Sequence, residues 1–292
     1  MLTNFGIGPL AAAATSERRR IWLCADDYGI STSVNSAIRD LVARGRLNAT
    51  SVLVAAPSFH RSEAISLNVL NSAAPRVAIG LHVALTAPFR PLSTRFAPAH
   101  DGAFLPLATT LRHAVTRRLR RDALEAEIAS QMQAFLSTFG RAPDFVDGHQ
   151  HVHLLPQIRD ALLGVVKARA PGAWVRQCGR AVPLAERLAD RKGLFLDLLS
   201  HRFRRRAAAV GLRTNPAFAG TYDFVDEANF AHLFPRFLDA LPDGGLVMCH
   251  PGFVDDELRR LDPLTTLREK EYAFFADDSF PALLAARGVA LA

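Results

Sequence analysis

Asp26 and Asp27 stand side by side at the end of an apolar run, in CADDYG at 24–29. Adjacent carboxylates repel, so a chain that keeps both must supply something to hold them. Further along lie three histidine-bearing segments: GLHVALT at 80–86 with His82, DGHQHVH at 147–153 with His149, His151 and His153, and CHPG at 249–252 with His250. One carboxylate and two imidazoles suit a divalent cation, with coordination positions left open for water and substrate. A cation answers the repulsion: one aspartate binds it, and the other stays free to take a proton from a water activated beside it. Each segment alone has a plainer explanation. An Asp-Asp pair is often a turn or helix cap, although Ser31, Thr32 and Ser33 already offer capping groups here. A lone histidine at a strand end is usually structural, and histidine clusters also occur in loops.

The elements that would position these residues are legible as alternating strands and helices. IWLCAD (21–26), TSVLVAA (50–56), RVAIGLHVAL (76–85), FVDGH (145–149), AWVRQC (173–178), GLVMCH (245–250) and GVALA (288–292) read as strands. Val34, Ala37, Ile38, Leu41 and Val42 recur at helical spacing before Gly45, and Leu124, Ile128, Met132, Phe135 and Phe139 form a second stripe before Gly140. Further helices are expected near 156–169, 184–208, 227–241 and 279–287. Continuous apolar strands alternating with helices imply a parallel sheet covered by helices. Seven such strands fit an α/β fold of the irregular (β/α) barrel, TIM-like type, with a doubly wound sheet as the competitor. In either fold ligands bind beyond the carboxyl ends of the strands, which is where the Asp and His residues fall. Along RVAIGLH, Ala78, Gly80 and His82 share one face, and the small residues leave room around the imidazole. Asp147 and His149 likewise share a face; His151 continues it only if the strand runs on, and His153 could also converge. The two aspartates require a bend at Asp27-Tyr28-Gly29, which Gly29 permits. Residues 86–106, with four prolines in that range, read as a long loop of the kind that forms lids.

Composition sets the remaining bounds. The 292 residues are 49% hydrophobic, enough for one barrel-sized domain over 20–292 after a flexible N-terminal extension at 1–19. That extension carries its charges after its small residues, the reverse of a secretory signal, so a cytoplasmic protein is expected. Cys24, Cys178 and Cys249 lack metal-type spacing and read as reduced, buried thiols. Net charge is +7, and 32 of the 35 basic residues are Arg, clustered at Arg18–Arg20, Arg117–Arg121 and Arg202–Arg206. No nucleic-acid motif accompanies them, so no nucleic acid is expected; an anionic membrane surface suits the clusters better.

The four segments ADDYG, GLHVALT, DGHQHVH and CHPG, in this order and spacing, resemble the YdjC-like, or ChbG-type, carbohydrate deacetylases over residues 20–292. The stretch CHPGFVDDELRRLDPLTTLREKEYAFF is similar to the hopanoid-associated (HpnK-like) branch. The resemblance implies an irregular (β/α) barrel and metal-dependent removal of an acetyl group from an N-acetylamino sugar, on a carbohydrate or a glycolipid. Carried over by motif, Asp27, His82 and His149 would bind one divalent ion, magnesium or zinc, with Asp26 as general base. His250 would be general acid by analogy with the wider polysaccharide deacetylases. His151 and His153 stay outside the ligand set, because the matching family ligand is the first histidine of that motif. The glycolipid branch implies peripheral contact with the inner membrane through the Arg clusters and the 192–210 segment, whose plainer explanation is an amphipathic helix on the barrel's outside. A homodimer is the largest assembly the resemblance suggests. Three alternatives remain: another metal hydrolase such as a phosphoesterase, a non-catalytic sugar-binding protein, and an adaptor whose histidines are structural.

Overall fold

The computed structural model describes residues 18–72, 77–96 and 101–292. Of the extension expected over 1–19, residues 1–17 lie outside the described residues, and Arg19 already opens the first strand. The chain runs β1 (Arg19–Tyr28), α1 (Thr32–Ala43), β2 (Ala49–Val52), α2 (Arg61–Asn71), β3 (Ala78–Val83), α3 (Leu107–Val115), α4 (Arg121–Phe139) and β4 (Phe145–Gly148). A 3-10 turn over His149–Leu154 follows, then α5 (Ile158–Arg169), β5 (Trp174–Val175), α6 (Leu184–Ala189), α7 (Arg191–Ala209) and β6 (Phe218–Ala219). The last part is α8 (Phe230–Asp239), β7 (Leu246–Cys249), α9 (Asp256–Leu261), α10 (Thr266–Ala276), α11 (Phe280–Ala286) and β8 (Val289–Leu291).

The strands form one parallel sheet in the order β5-β4-β3-β2-β1-β7-β6, and β8 pairs with the start of β1. The sheet curls until its edges meet: isolated parallel bridges join Val175 to Thr214 and Arg180 to Phe218. This is the irregular α/β barrel rather than the doubly wound sheet. Central strands hydrogen-bonded on both sides and covered by helices account for the unbroken apolar runs. The stripe Leu124, Ile128, Met132, Phe135 and Phe139 of α4 is buried, and Gly140 ends that helix in a left-handed conformation at φ 70°. In α1 the expected residues Val34, Ala37, Ile38, Leu41 and Val42 are buried, and Ser31 caps the helix by accepting the Val34 N–H.

Three local expectations need correction. The helix expected over 184–208 is two helices, because Asp190 is extended and caps α7 through the Gly193 N–H. The second strand ends at Val52 rather than running to 56. The space beside Gly80 is filled by the Phe145 ring of β4, which would meet a Cβ there at 2.4 Å; Gly80 serves packing, not room around His82. Among the described residues, no helix is long and apolar enough to cross a membrane.

Candidate metal centre and its surroundings

β1 delivers both aspartates through a bulge. Its register with β2 shifts between Ala25 and Tyr28, and Asp27 itself adopts a left-handed backbone at φ 69°. An extra residue at a bulge re-aims a side chain, and a non-glycine residue in that region marks stored strain. Gly29, at φ 105°, completes the bend; a Cβ there would sit 2.9 Å from the Leu53 carbonyl oxygen. Neighbouring registers bring the partners in. His82 pairs with Asp147 across β3 and β4, and Ala25 pairs with Cys249 across β1 and β7, so Asp26 and His250 follow side by side.

The three expected ligands converge. Nδ1 of His149 lies 2.9 Å from Asp27 Oδ1, and Nε2 of His82 lies 3.5 Å from the same oxygen. Ligand atoms of Asp27, His82 and His149 all fall within 4.8 Å of one another, and all three residues are buried. Behind His82, Asp147 Oδ1 meets Nδ1 at 2.6 Å and the Ser51 hydroxyl approaches at 3.1 Å. A carboxylate on one imidazole nitrogen turns the other toward a metal and raises its basicity. One carboxylate oxygen and two imidazole nitrogens, with further positions open, fit a catalytic divalent site. Without a cation, a proton is favoured there: although burial opposes it, Asp147 and then Asp26 push His82 up to about 10. Among the described residues a second group, Asp26, His82 and Asp147, is also close enough to share an ion. The Arg176 guanidinium already faces both of its carboxylates, which opposes a cation there.

Two buried arginines hold the aspartates. Arg176, just past β5, donates to Asp26 at 2.6 and 2.7 Å and lies 2.7 Å from Asp147 Oδ2. Arg268, on α10, bridges Asp27 at 2.6 Å and Asp262 at 2.5 Å. Burial would raise both aspartates, but Arg176 and then His82 hold Asp26 well below the usual carboxylate range, and His149 and then Arg268 do the same for Asp27. Asp26 also accepts the Ser51 hydroxyl. Each of the adjacent acids thus faces its own buried guanidinium, Asp26 that of Arg176 and Asp27 that of Arg268, which is how they coexist.

His250 stands in the field of Asp27 and Asp26, and burial lowers its pKa below the ordinary imidazole value. Its Nδ1 is buried without a hydrogen-bond partner among the described residues. His151 and His153 go elsewhere. The strand does not run on: Gln150 and His151 are both left-handed, at φ 53° and 58°. His151 turns its ring edge-on to Phe218 and its Nδ1 lies 3.6 Å from the Cys178 thiol. His153 does not converge; its Nε2 meets the Arg176 carbonyl at 2.9 Å and its ring packs on Phe203. All three cysteines are free and buried.

Of the long loop expected over 86–106, residues 97–100 lie outside the described residues, and its first part is pinned. Leu92 and Ser93 N–H groups donate to Glu127 of α4, and Gln131 bonds both main-chain groups of Ala84. This sets the Phe89 ring edge-on to His149 at 5.4 Å, as a wall of the site. Sequence reasoning missed Arg176, Arg268 and the part played by Asp147. Arg176 had a signal, since it is a charged residue inside the apolar strand segment AWVRQC at 173–178; Arg268, on a late helix, had none.

An α/β barrel with an Asp/His/His cluster at the carboxyl ends of its strands is thus the class that fold and site define. The chain belongs to the YdjC-like protein family, whose profile matches residues 20–286. It is 27% identical over 246 residues to a chitooligosaccharide deacetylase of Citrobacter koseri, covering 81% of this chain and 82% of that one. It is also 27% identical over 269 residues to a chitooligosaccharide deacetylase of Salmonella paratyphi B, covering 90% and 93%. A crystal structure from Enterococcus faecalis V583, of a protein named for cellobiose-phosphate cleavage, superposes with a TM-score of 0.71 at 20% identity over 94% of this chain and 97% of that one. That likeness bears on the fold.

Proposed function

We propose that this protein is a metal-dependent N-deacetylase acting on an N-acetylamino sugar, releasing acetate and a free amine. The observation that carries the reading is the convergence of Asp27, His82 and His149 from three strands, with Asp26 alongside. The chitooligosaccharide deacetylases among its relatives support the substrate class.

Asp27, His82 and His149 would hold one divalent ion, which when bound supplies Lewis-acid polarisation of the amide carbonyl and of an attacking water. The donor set favours zinc by ligand softness, with magnesium the alternative. Asp26 accepts the proton as the water oxygen adds to the carbonyl carbon. Arg176 fixes the direction of that carboxylate and keeps it ionised. As the C–N bond breaks, His250 gives a proton to the departing nitrogen, which is otherwise a poor leaving group. Burial favours the neutral form of His250, so this ring takes up the proton it donates before the C–N bond breaks. Phe89 shields the ligands from bulk water.

The single-domain reading over 20–292 is supported by β8, which pairs with β1 from the far end of the chain. Peripheral contact with an anionic membrane, and with it a hopanoid-type glycolipid substrate, is supported by α7, which exposes Phe195 and Leu198 together with Arg202, Arg204, Arg205 and Arg206. The experiment is metal analysis of the purified protein coupled to acetate release from N,N′-diacetylchitobiose and from an N-acetylglucosaminyl lipid. Bound metal without acetate from either substrate would favour another class of hydrolase.

A further inference from the structure

Glu271 is wholly buried on α10 and has no part in the chemistry above. Its two oxygens face two different loops. Oε1 accepts the Tyr222 hydroxyl at 2.7 Å, from the loop after β6. Oε2 accepts the main-chain N–H of His250 at 2.5 Å, from the first residue after β7. Neither donor is charged; the guanidinium one turn away, Arg268, favours the carboxylate, but it bonds Asp27 and Asp262 and burial outweighs it. A carboxyl buried among neutral donors is costly, and an apolar side chain would fill the same volume without that cost. Packing therefore does not account for it.

What it touches does. A catalytic imidazole is ordinarily oriented by a hydrogen bond on its second nitrogen. His250 has none: Nδ1 is buried and finds no partner among the described residues. Its ring is placed by its main chain and by Phe224, set edge-on to it at 5.6 Å, two residues beyond Tyr222. Phe224 is 42% exposed, so burial alone does not hold it there. Glu271 anchors both determinants, the main chain directly and the Phe224 loop through Tyr222.

We propose that Glu271 is a positioning residue for His250, its carboxylate tying the end of β7 to the Tyr222–Phe224 wall and so fixing the imidazole beside the two aspartates. This rests on the reading of His250 as the proton donor. In metal-loaded protein acting on N,N′-diacetylchitobiose, Glu271→Leu lowers kcat about 10- to 100-fold while KM moves less than about twofold. Glu271→Gln can accept from His250 and donate to Tyr222, and recovers activity to within about threefold of wild type. Adding Glu271→Leu to His250→Ala costs nothing further, because the effect runs through that ring. A second readout needs no turnover. The histidine ring ¹⁵N signals missing from His250→Ala identify His250; they shift in Glu271→Leu and return in Glu271→Gln. A wild type that releases no acetate would remove the deacetylase reading and leave the ring signals to decide this one. If Glu271→Leu does not fold, Tyr222→Phe must produce the same shift in smaller degree. Unmoved His250 signals in a folded variant, or a double variant weakened by the full product of the two single losses, overturn the proposal.

Discussion

The guanidinium of Arg176 grips both carboxylate oxygens of Asp26, at 2.6 and 2.7 Å, with both residues buried. Removing one partner of such a pair leaves an uncompensated charge in the interior. Arg176→Met is therefore expected to destabilise the fold by about 3–5 kcal/mol. Urea unfolding of the two proteins checks this, and a loss below about 1 kcal/mol would show that Asp26 finds another counter-charge.

Asp26→Asn keeps the volume and part of the hydrogen bonding but cannot accept a proton. Acetate release should fall about 10²- to 10⁴-fold. Calorimetric binding of N,N′-diacetylchitobiose should change little. Unaltered turnover would take Asp26 out of the reaction.

The two groups able to share a cation make different demands. Alanine at Asp27, His82 or His149 should abolish stoichiometric zinc binding, whereas Asp26→Asn should retain it. Asp147→Asn removes the carboxylate behind His82 and should weaken affinity about 10- to 100-fold. Competition titration with a chromogenic chelator measures all five proteins. Loss of zinc in Asp26→Asn would move the ion to the group facing Arg176.

Burial raises Glu271 from its ordinary 4.5 to about 7. The folded protein holds that proton more tightly than the unfolded chain does. The stability it contributes is complete below about 4.5 and is lost as pH rises through about 7, by up to about 3 kcal/mol. Glu271→Gln has no proton to lose. Its unfolding free energy should therefore rise relative to that of wild type from pH 5 to pH 8. A constant offset across that range would place the ionisation elsewhere.

The barrel was legible because buried strands and amphipathic helices write their periods directly into the chain, as Ile21–Asp26 and Leu124–Phe139 do. Phe218–Ala219 was not: two residues carry no period, and their strand exists through its pairing with β7 and the bridge to Arg180. The helix at Thr266–Ala276 was hidden for another reason. It buries Arg268 and Glu271 as well as Leu267 and Phe275, so its inward face does not read as apolar. Asp27, His82 and His149 could be found because strand ends gather ligands. Arg268, the counter-charge of Asp27, is fixed by tertiary contact alone, and no local pattern announces it.

Asp26 and Asp27 are translated long before the groups that neutralise them: Arg176 follows Asp26 by 150 positions and Arg268 follows Asp27 by 241. Until both have emerged from the ribosome, the strand bearing the two acids cannot bury them without stranding negative charge. The nascent centre must stay hydrated and open through most of synthesis, and closure of the barrel becomes a late event tied to the arrival of α10.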